Sequence, residues 1–155
     1  MTGTVAARLA EKGIELPEAI KPLASYVPWV ITGNLLFISG QVPFKDGGLS
    51  HTGHLGNNVS VEEGYDCARV CGLNILAQAN DAVNGDLDRI KRVVKLTGFV
   101  SCTPDFADQP KVINGCSDLM AEAFGDSGRH ARAAVGVPAL PLGAAVEVEA
   151  IFELG

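Results

Sequence analysis

Residues 144–154, AAVEVEAIFEL, decide how this chain folds. Read with a period of two, Val146, Val148, Ala150, Phe152 and Leu154 line one side of a strand, while Glu147, Glu149, Ile151 and Glu153 line the other. The first side belongs in a core. The second mixes carboxylates with an isoleucine, which suits a sheet covered on both faces. Just upstream, residues 130–137 alternate in the same way, and Pro138-Ala139-Leu140-Pro141 separates the two runs. The pair is expected to fold back as an antiparallel hairpin.

Further toward the N-terminus, Pro110 opens a helix whose Val112, Ile113, Cys116, Leu119, Met120, Ala123 and Phe124 form one apolar stripe, closed by Gly125. Ile90 to Ser101 is rich in β-branched residues and reads as a strand. Before it, Ser60 followed by Glu63 makes a capping box, and Val61, Tyr65, Ala68, Gly72, Ile75, Ala79 and Val83 recur at helical spacing until Asn84-Gly85. Phe44 to Asn58 is a loop. Tyr26 to Ile31 and Leu35 to Gln41 are β-prone runs joined by Thr32-Gly33-Asn34, a second antiparallel hairpin. Thr4 to Lys12 can form a short amphipathic helix ended by Gly13, followed by a peripheral arm around Pro17 and Pro22. The order ββ-α-β-α-ββ gives two long helices with one apolar stripe each, so both lie on one face of a mixed sheet in an α+β fold. Residues 1–21 are an N-terminal extension and residues 22–155 the domain proper. With no third layer of helices, the other sheet face is left for copies of the same chain to cover.

Composition narrows the function. The chain has 155 residues, 47% hydrophobic and only 19% charged, enough for one compact domain. Twelve basic residues against 18 acidic ones give a net charge of −6 with no basic run, which disfavours nucleic acid. No apolar run approaches the length of a membrane span, no charged-then-apolar leader is present, and Cys67, Cys71, Cys102 and Cys116 form no CxxC pair. A cytoplasmic protein with reduced thiols and no membrane partner is expected. Cys67 and Cys71 share a helix face, and His51 and His54 share a polar loop, but neither pair has a third ligand at suitable spacing, so no metal is expected. Phosphate-binding and dinucleotide-binding glycine patterns and the common hydrolase motifs are all missing, so no cofactor is expected.

Two charges stand out because their neighbours are apolar: Arg132 and Glu147. Folding the last hairpin about Ala139-Leu140 sets them opposite one another across the strands. The pair then reads either as a structural ion pair or as an anion site with a carboxylate beside it, in which the arginine fork grips a substrate carboxylate through two bonds. Ser39-Gly40-Gln41 ends a strand with a glycine that admits a ligand close to the backbone, or simply marks a bulge. Tyr26 offers its hydroxyl to a pocket, or packs as an interfacial aromatic.

Taken together, Tyr26, Gly33-Asn34, Ser39-Gly40-Gln41-Val42-Pro43, Asn114, Ala131-Arg132, Leu140-Pro141 and Val146 to Ile151 resemble the RidA/YjgF family of reactive-intermediate deaminases, over roughly residues 22 to 154. The resemblance implies a chorismate-mutase-like fold, a homotrimer whose sheets form a central barrel, and a small-molecule cleft at each subunit interface, without metal or cofactor. It implies hydrolysis of 2-imino acids, or enamine tautomers such as 2-aminoacrylate, to 2-keto acids and ammonia. In that chemistry the residue matching Arg132 grips the substrate carboxylate and the one matching Glu147 positions the hydrolytic water. Tyr26 would line the pocket, the backbone of Ser39 and Gly40 would help to form it, and Asn114 falls near a family asparagine. The alternatives are a non-catalytic trimer that holds a 2-keto acid or another small carboxylate, and an endoribonuclease. The acidity of the chain and the lack of a His pair beside a Lys argue against the latter. This chain departs from typical deaminases in its N-terminal extension, in Ser25 to Pro28 around the tyrosine, in the loop after Pro43, in added residues near Asp108 to Val112, and in Ile38 and Ala134.

Overall fold

The computed structural model describes residues 3–155. Its elements are α1 (Thr4–Glu11), β1 (Trp29–Thr32), β2 (Leu35–Gln41), β3 (Phe44–Lys45), β4 (Gly48–Leu49), α2 (Val61–Ala82), β5 (Ile90–Ser101), α3 (Gln109–Phe124), β6 (Ala131–Val137) and β7 (Val146–Leu154). Helix α2 begins where its orphan amides find partners: Ser60 Oγ accepts from the Glu63 N–H, and the Glu63 carboxylate accepts from the Ser60 N–H. Asn84 and Gly85 stop it in the left-handed region, with φ of 55° and 85°. Proline in the first turn opens α3, and Gly125 at φ 61° closes it. All seven residues of the expected α3 stripe are buried. The two long helices touch almost backbone to backbone: a Cβ on Gly115 would collide with the Tyr65 carbonyl.

Five strands form one mixed sheet in the order β1-β2-β7-β5-β6, with β5 and β6 parallel and the other neighbours antiparallel. The β1–β2 hairpin turns at Gly33-Asn34, with Thr32 opposite Leu35. The expected loop after Val42 holds the small β3–β4 hairpin.

The C-terminal hairpin does not form. Strand β6 pairs with β5, Arg132 lying opposite Leu96, and β7 runs between β2 and β5. Helix α3 separates β5 from β6 in the chain, and such a strand–helix–strand crossover returns the second strand parallel to the first. In the centre β7 has a hydrogen-bonded neighbour along each edge.

Leu36, Ile38, Leu96, Val100, Val146, Val148, Ala150 and Phe152 face the two long helices and are fully buried or nearly so. The opposite sheet face carries Val30, Phe37, Thr97, Phe99, Val135, Glu147, Glu149 and Ile151. Among the described residues no element covers it, and Val30, Phe37 and Val135 remain 49%, 39% and 43% exposed.

The N-terminal helix is not a loose appendage. Val5 and Leu9 enter the main core, and the Asp88 carboxylate accepts hydrogen bonds from the Thr4 and Val5 amides at 2.8 and 2.9 Å. Those amides hold the Asp88 carboxyl below the usual carboxylate range, the Val5 bond contributing most. Buried Gln78 then fixes the arm by donating to the Ile20 carbonyl at 2.6 Å.

Candidate functional site

Edge strand β6 turns Arg132 toward α3. There Nη1 donates to Asn114 Oδ1 at 2.8 Å and to Ser117 Oγ at 3.2 Å, and Nη2 donates to the Pro110 carbonyl at 3.4 Å. Pro110, Asn114 and Ser117 follow at i, i+4 and i+7, so one face of the helix supplies all three acceptors. Each acceptor is neutral. Among the described residues no carboxylate forms an ion pair with this half-buried guanidinium. A cation held in place by dipoles, with its charge uncompensated, has the chemistry to receive an anion.

Glu147 belongs to a second cluster. It lies opposite Phe99 on the uncovered sheet face, and its carboxyl group rests against Gly40. Burial, reinforced by Glu149, pushes its pKa up. Gly40 sits in a bulge: the pairing steps from Ile38 opposite Ala150 to Gln41 opposite Val148, which inserts one extra residue into β2. Ser39 uses both of its donors to tether the chain before β1, its Oγ to the Val27 carbonyl at 2.7 Å and its N–H to the Pro28 carbonyl at 2.9 Å. That tether places Tyr26 beside Ser39 and Gly40 at a cavity of about 160 Å³. Buried Asn74 closes one side of it by donating to the Val42 and Phe44 carbonyls.

The residues singled out in the sequence therefore form two groups: Arg132 with Asn114, and Tyr26, Ser39 and Gly40 with Glu147. The cross-strand Arg132–Glu147 pair is ruled out. Strand β5 lies between them, and Arg132 shares the inward face of Leu96 while Glu147 shares the outward face of Phe99. The structural ion-pair reading falls with that register. Within one chain the two side chains leave the sheet from opposite faces. The two loop histidines also part company: His51 Nδ1 lies 3.5 Å from Cys67 Sγ, and His54 Nε2 lies 2.9 Å from the Pro138 carbonyl. Ser117 and His130, which also stand around Arg132, escaped the sequence reading. The i, i+4, i+7 spacing of Pro110, Asn114 and Ser117 is the signal that could have found the first.

Comparison with known proteins agrees with this architecture. The family model described as "YjgF/chorismate_mutase-like, putative endoribonuclease" matches residues 6–154. Protein TCP17 of Trypanosoma cruzi is 51% identical over 154 residues, which cover 99% of this chain and 96% of that protein. The crystal structure of Atu1372 from Agrobacterium tumefaciens, a protein of unknown function, superposes with a TM-score of 0.90 at 48% identity, covering 97% of this chain and 93% of that one. E. coli TdcF, solved with bound serine, superposes at 0.61 with 25% identity, covering 90% and 94% of the respective chains.

Proposed function

Because this chain belongs to the YjgF/chorismate-mutase-like family, we propose that it hydrolyses 2-imino acids and their enamine tautomers to 2-keto acids and ammonia, with Arg132 as the carboxylate anchor. The observation that carries this reading is the unpaired Arg132 guanidinium, held by three neutral oxygens. The serine bound to TdcF, a small molecule with a carboxylate beside a nitrogen-bearing carbon, supports the same ligand class.

One chain holds only half of the machinery near Arg132. The other half is supplied by a neighbouring copy, which presents Glu147 from the uncovered face of its sheet, with Gly40 and Tyr26 beside it. A homotrimer packed through the exposed apolar face of Val30, Phe37 and Val135 meets both needs, since it removes that face from water and closes a cleft between subunits. In the cleft the substrate carboxylate docks on Arg132. Glu147 accepts a proton from a water as its oxygen bonds to the C=N carbon. With the imine entering as its protonated iminium, Glu147 returns that proton to the carbinolamine nitrogen, and the C–N bond breaks as the new hydroxyl gives its own proton to Glu147, leaving the keto acid and ammonia. Positioning and one proton acceptor suffice, and neither metal nor cofactor enters the scheme. We place its action in the cytoplasm, with no membrane or nucleic-acid partner.

The test generates 2-iminobutanoate in situ with a dehydratase and follows 2-oxobutanoate with and without the protein. Wild type should accelerate its appearance and Arg132→Ala should not. A rate unchanged by wild-type protein, with 2-oxobutanoate still protecting it from melting, would replace catalysis by binding alone. Sedimentation should give three times the 16.1 kDa chain mass.

A further inference from the structure

Resting on the reading of Arg132 as a carboxylate anchor, we propose that His130 and Ser117 are positioning residues that lock the guanidinium so that only its Nε/Nη2 edge meets the ligand. His130 Nδ1 lies 2.6 Å from the Gly128 carbonyl. A carbonyl only accepts, so Nδ1 carries a proton, and in the neutral ring Nε2 is the acceptor. Ser117 Oγ stands 2.9 Å from Nε2 and gives it the hydroxyl proton. That donation leaves the lone pairs of Oγ facing Arg132 Nη1.

The donor count follows. A guanidinium has five N–H groups. Both on Nη1 are taken, by Asn114 and Ser117, and one on Nη2 goes to Pro110. With Pro110 taking the Nη2 hydrogen that faces Nη1, Nε–H and the second Nη2–H are left, the parallel pair that a planar carboxylate accepts side-on. Without His130, the Ser117 hydroxyl is free to turn back onto the Ile113 carbonyl one helical turn earlier. Nη1 would then lose an acceptor and the guanidinium could swing. The relay thus favours small planar carboxylates over ligands that approach end-on.

Calorimetric binding of 2-oxobutanoate, together with NMR of the histidine ring nitrogens, tests this. His130 should show the Nδ1–H tautomer; the Nε2–H tautomer overturns the relay. His130→Phe and Ser117→Ala should each weaken binding about 5–10-fold, the scale of losing one ordinary hydrogen bond. The double variant should be no worse than the weaker single one, and Ser117→Thr should bind like wild type. In turnover of 2-iminobutanoate, KM should rise while kcat holds. Full affinity in His130→Phe, alongside its loss in Arg132→Ala, overturns this inference and leaves the proposed function standing. If wild type neither binds 2-oxobutanoate nor speeds its formation, the proposed function fails, and the relay is judged by phenylglyoxal modification of Arg132. Faster modification in Ser117→Ala supports it and an unchanged rate overturns it.

Discussion

The Glu147 carboxyl group rests on Gly40 so closely that a Cβ there would come to 3.0 Å from its carboxyl carbon and 3.2 Å from Oε2. Gly40→Ala therefore pushes the carboxylate off its position without disturbing the core. Imine hydrolysis should fall ~10–100-fold, the scale of an ångström-sized misplacement at a reacting centre. The melting temperature should stay within a few degrees of wild type. Parallel rate and melting measurements check both halves.

Arg132→Ala should cost ligand binding at least ~100-fold, since it removes two charge-assisted bonds to the carboxylate. Arg132→Lys should recover little of this, because an ammonium cannot reproduce the planar fork or reach Asn114, Ser117 and Pro110 together. Titration of each variant with 2-oxobutanoate gives the comparison.

Burial and Glu149 raise the Glu147 pKa, so this carboxylate is harder to ionise in the fold than in the unfolded chain. Its contribution favours the fold most below the ordinary carboxylate range and is lost as the pH rises through the higher folded value. Glu147→Gln should accordingly melt higher than wild type at neutral pH and converge with it in acid. As a proton acceptor the ionised form is required, so kcat/KM should fall on acidification at a pH above that of an ordinary glutamate. A pH–rate profile beside melting curves of both proteins tests the two signs.

Gly115→Ala should be the most damaging of the small substitutions. The added methyl group meets the Tyr65 carbonyl, backbone that can yield only if α2 and α3 separate. Overpacking of this kind costs about 1–3 kcal/mol or more. Denaturant titration should show that loss, and Gly48→Ala, which meets nothing, should show almost none.

The helices were legible because their ends carry local chemistry: the Ser60–Glu63 box, Pro110 and the glycines after Ala82 and Phe124 are read within a few residues. Strand partnership is a long-range property, and there the reading went astray. Alternation in residues 130–137 and 144–154 showed two strands but not which neighbours they take. The Pro138–Pro141 corner imitates a tight turn, whereas the chain passes through Leu142 at φ 61° and enters the sheet again on the far side of β5. One wrong partner was enough to put Arg132 beside Glu147. The residues themselves were visible as charges in apolar strands, while Ser117 and His130 look like ordinary polar residues until the fold sets them beside Arg132.

Strand β7 is the last element of the sheet in chain order, yet it lies in the middle, between β2 and β5. During synthesis, the β1–β2 ribbon and the β5–β6 pair emerge from the ribosome with a missing row between them. Neither half can zip to the other until the final strand is released, so closure waits for the end of translation. A nascent chain halted before residue 146 exposes two raw edges, each able to capture a strand from another molecule.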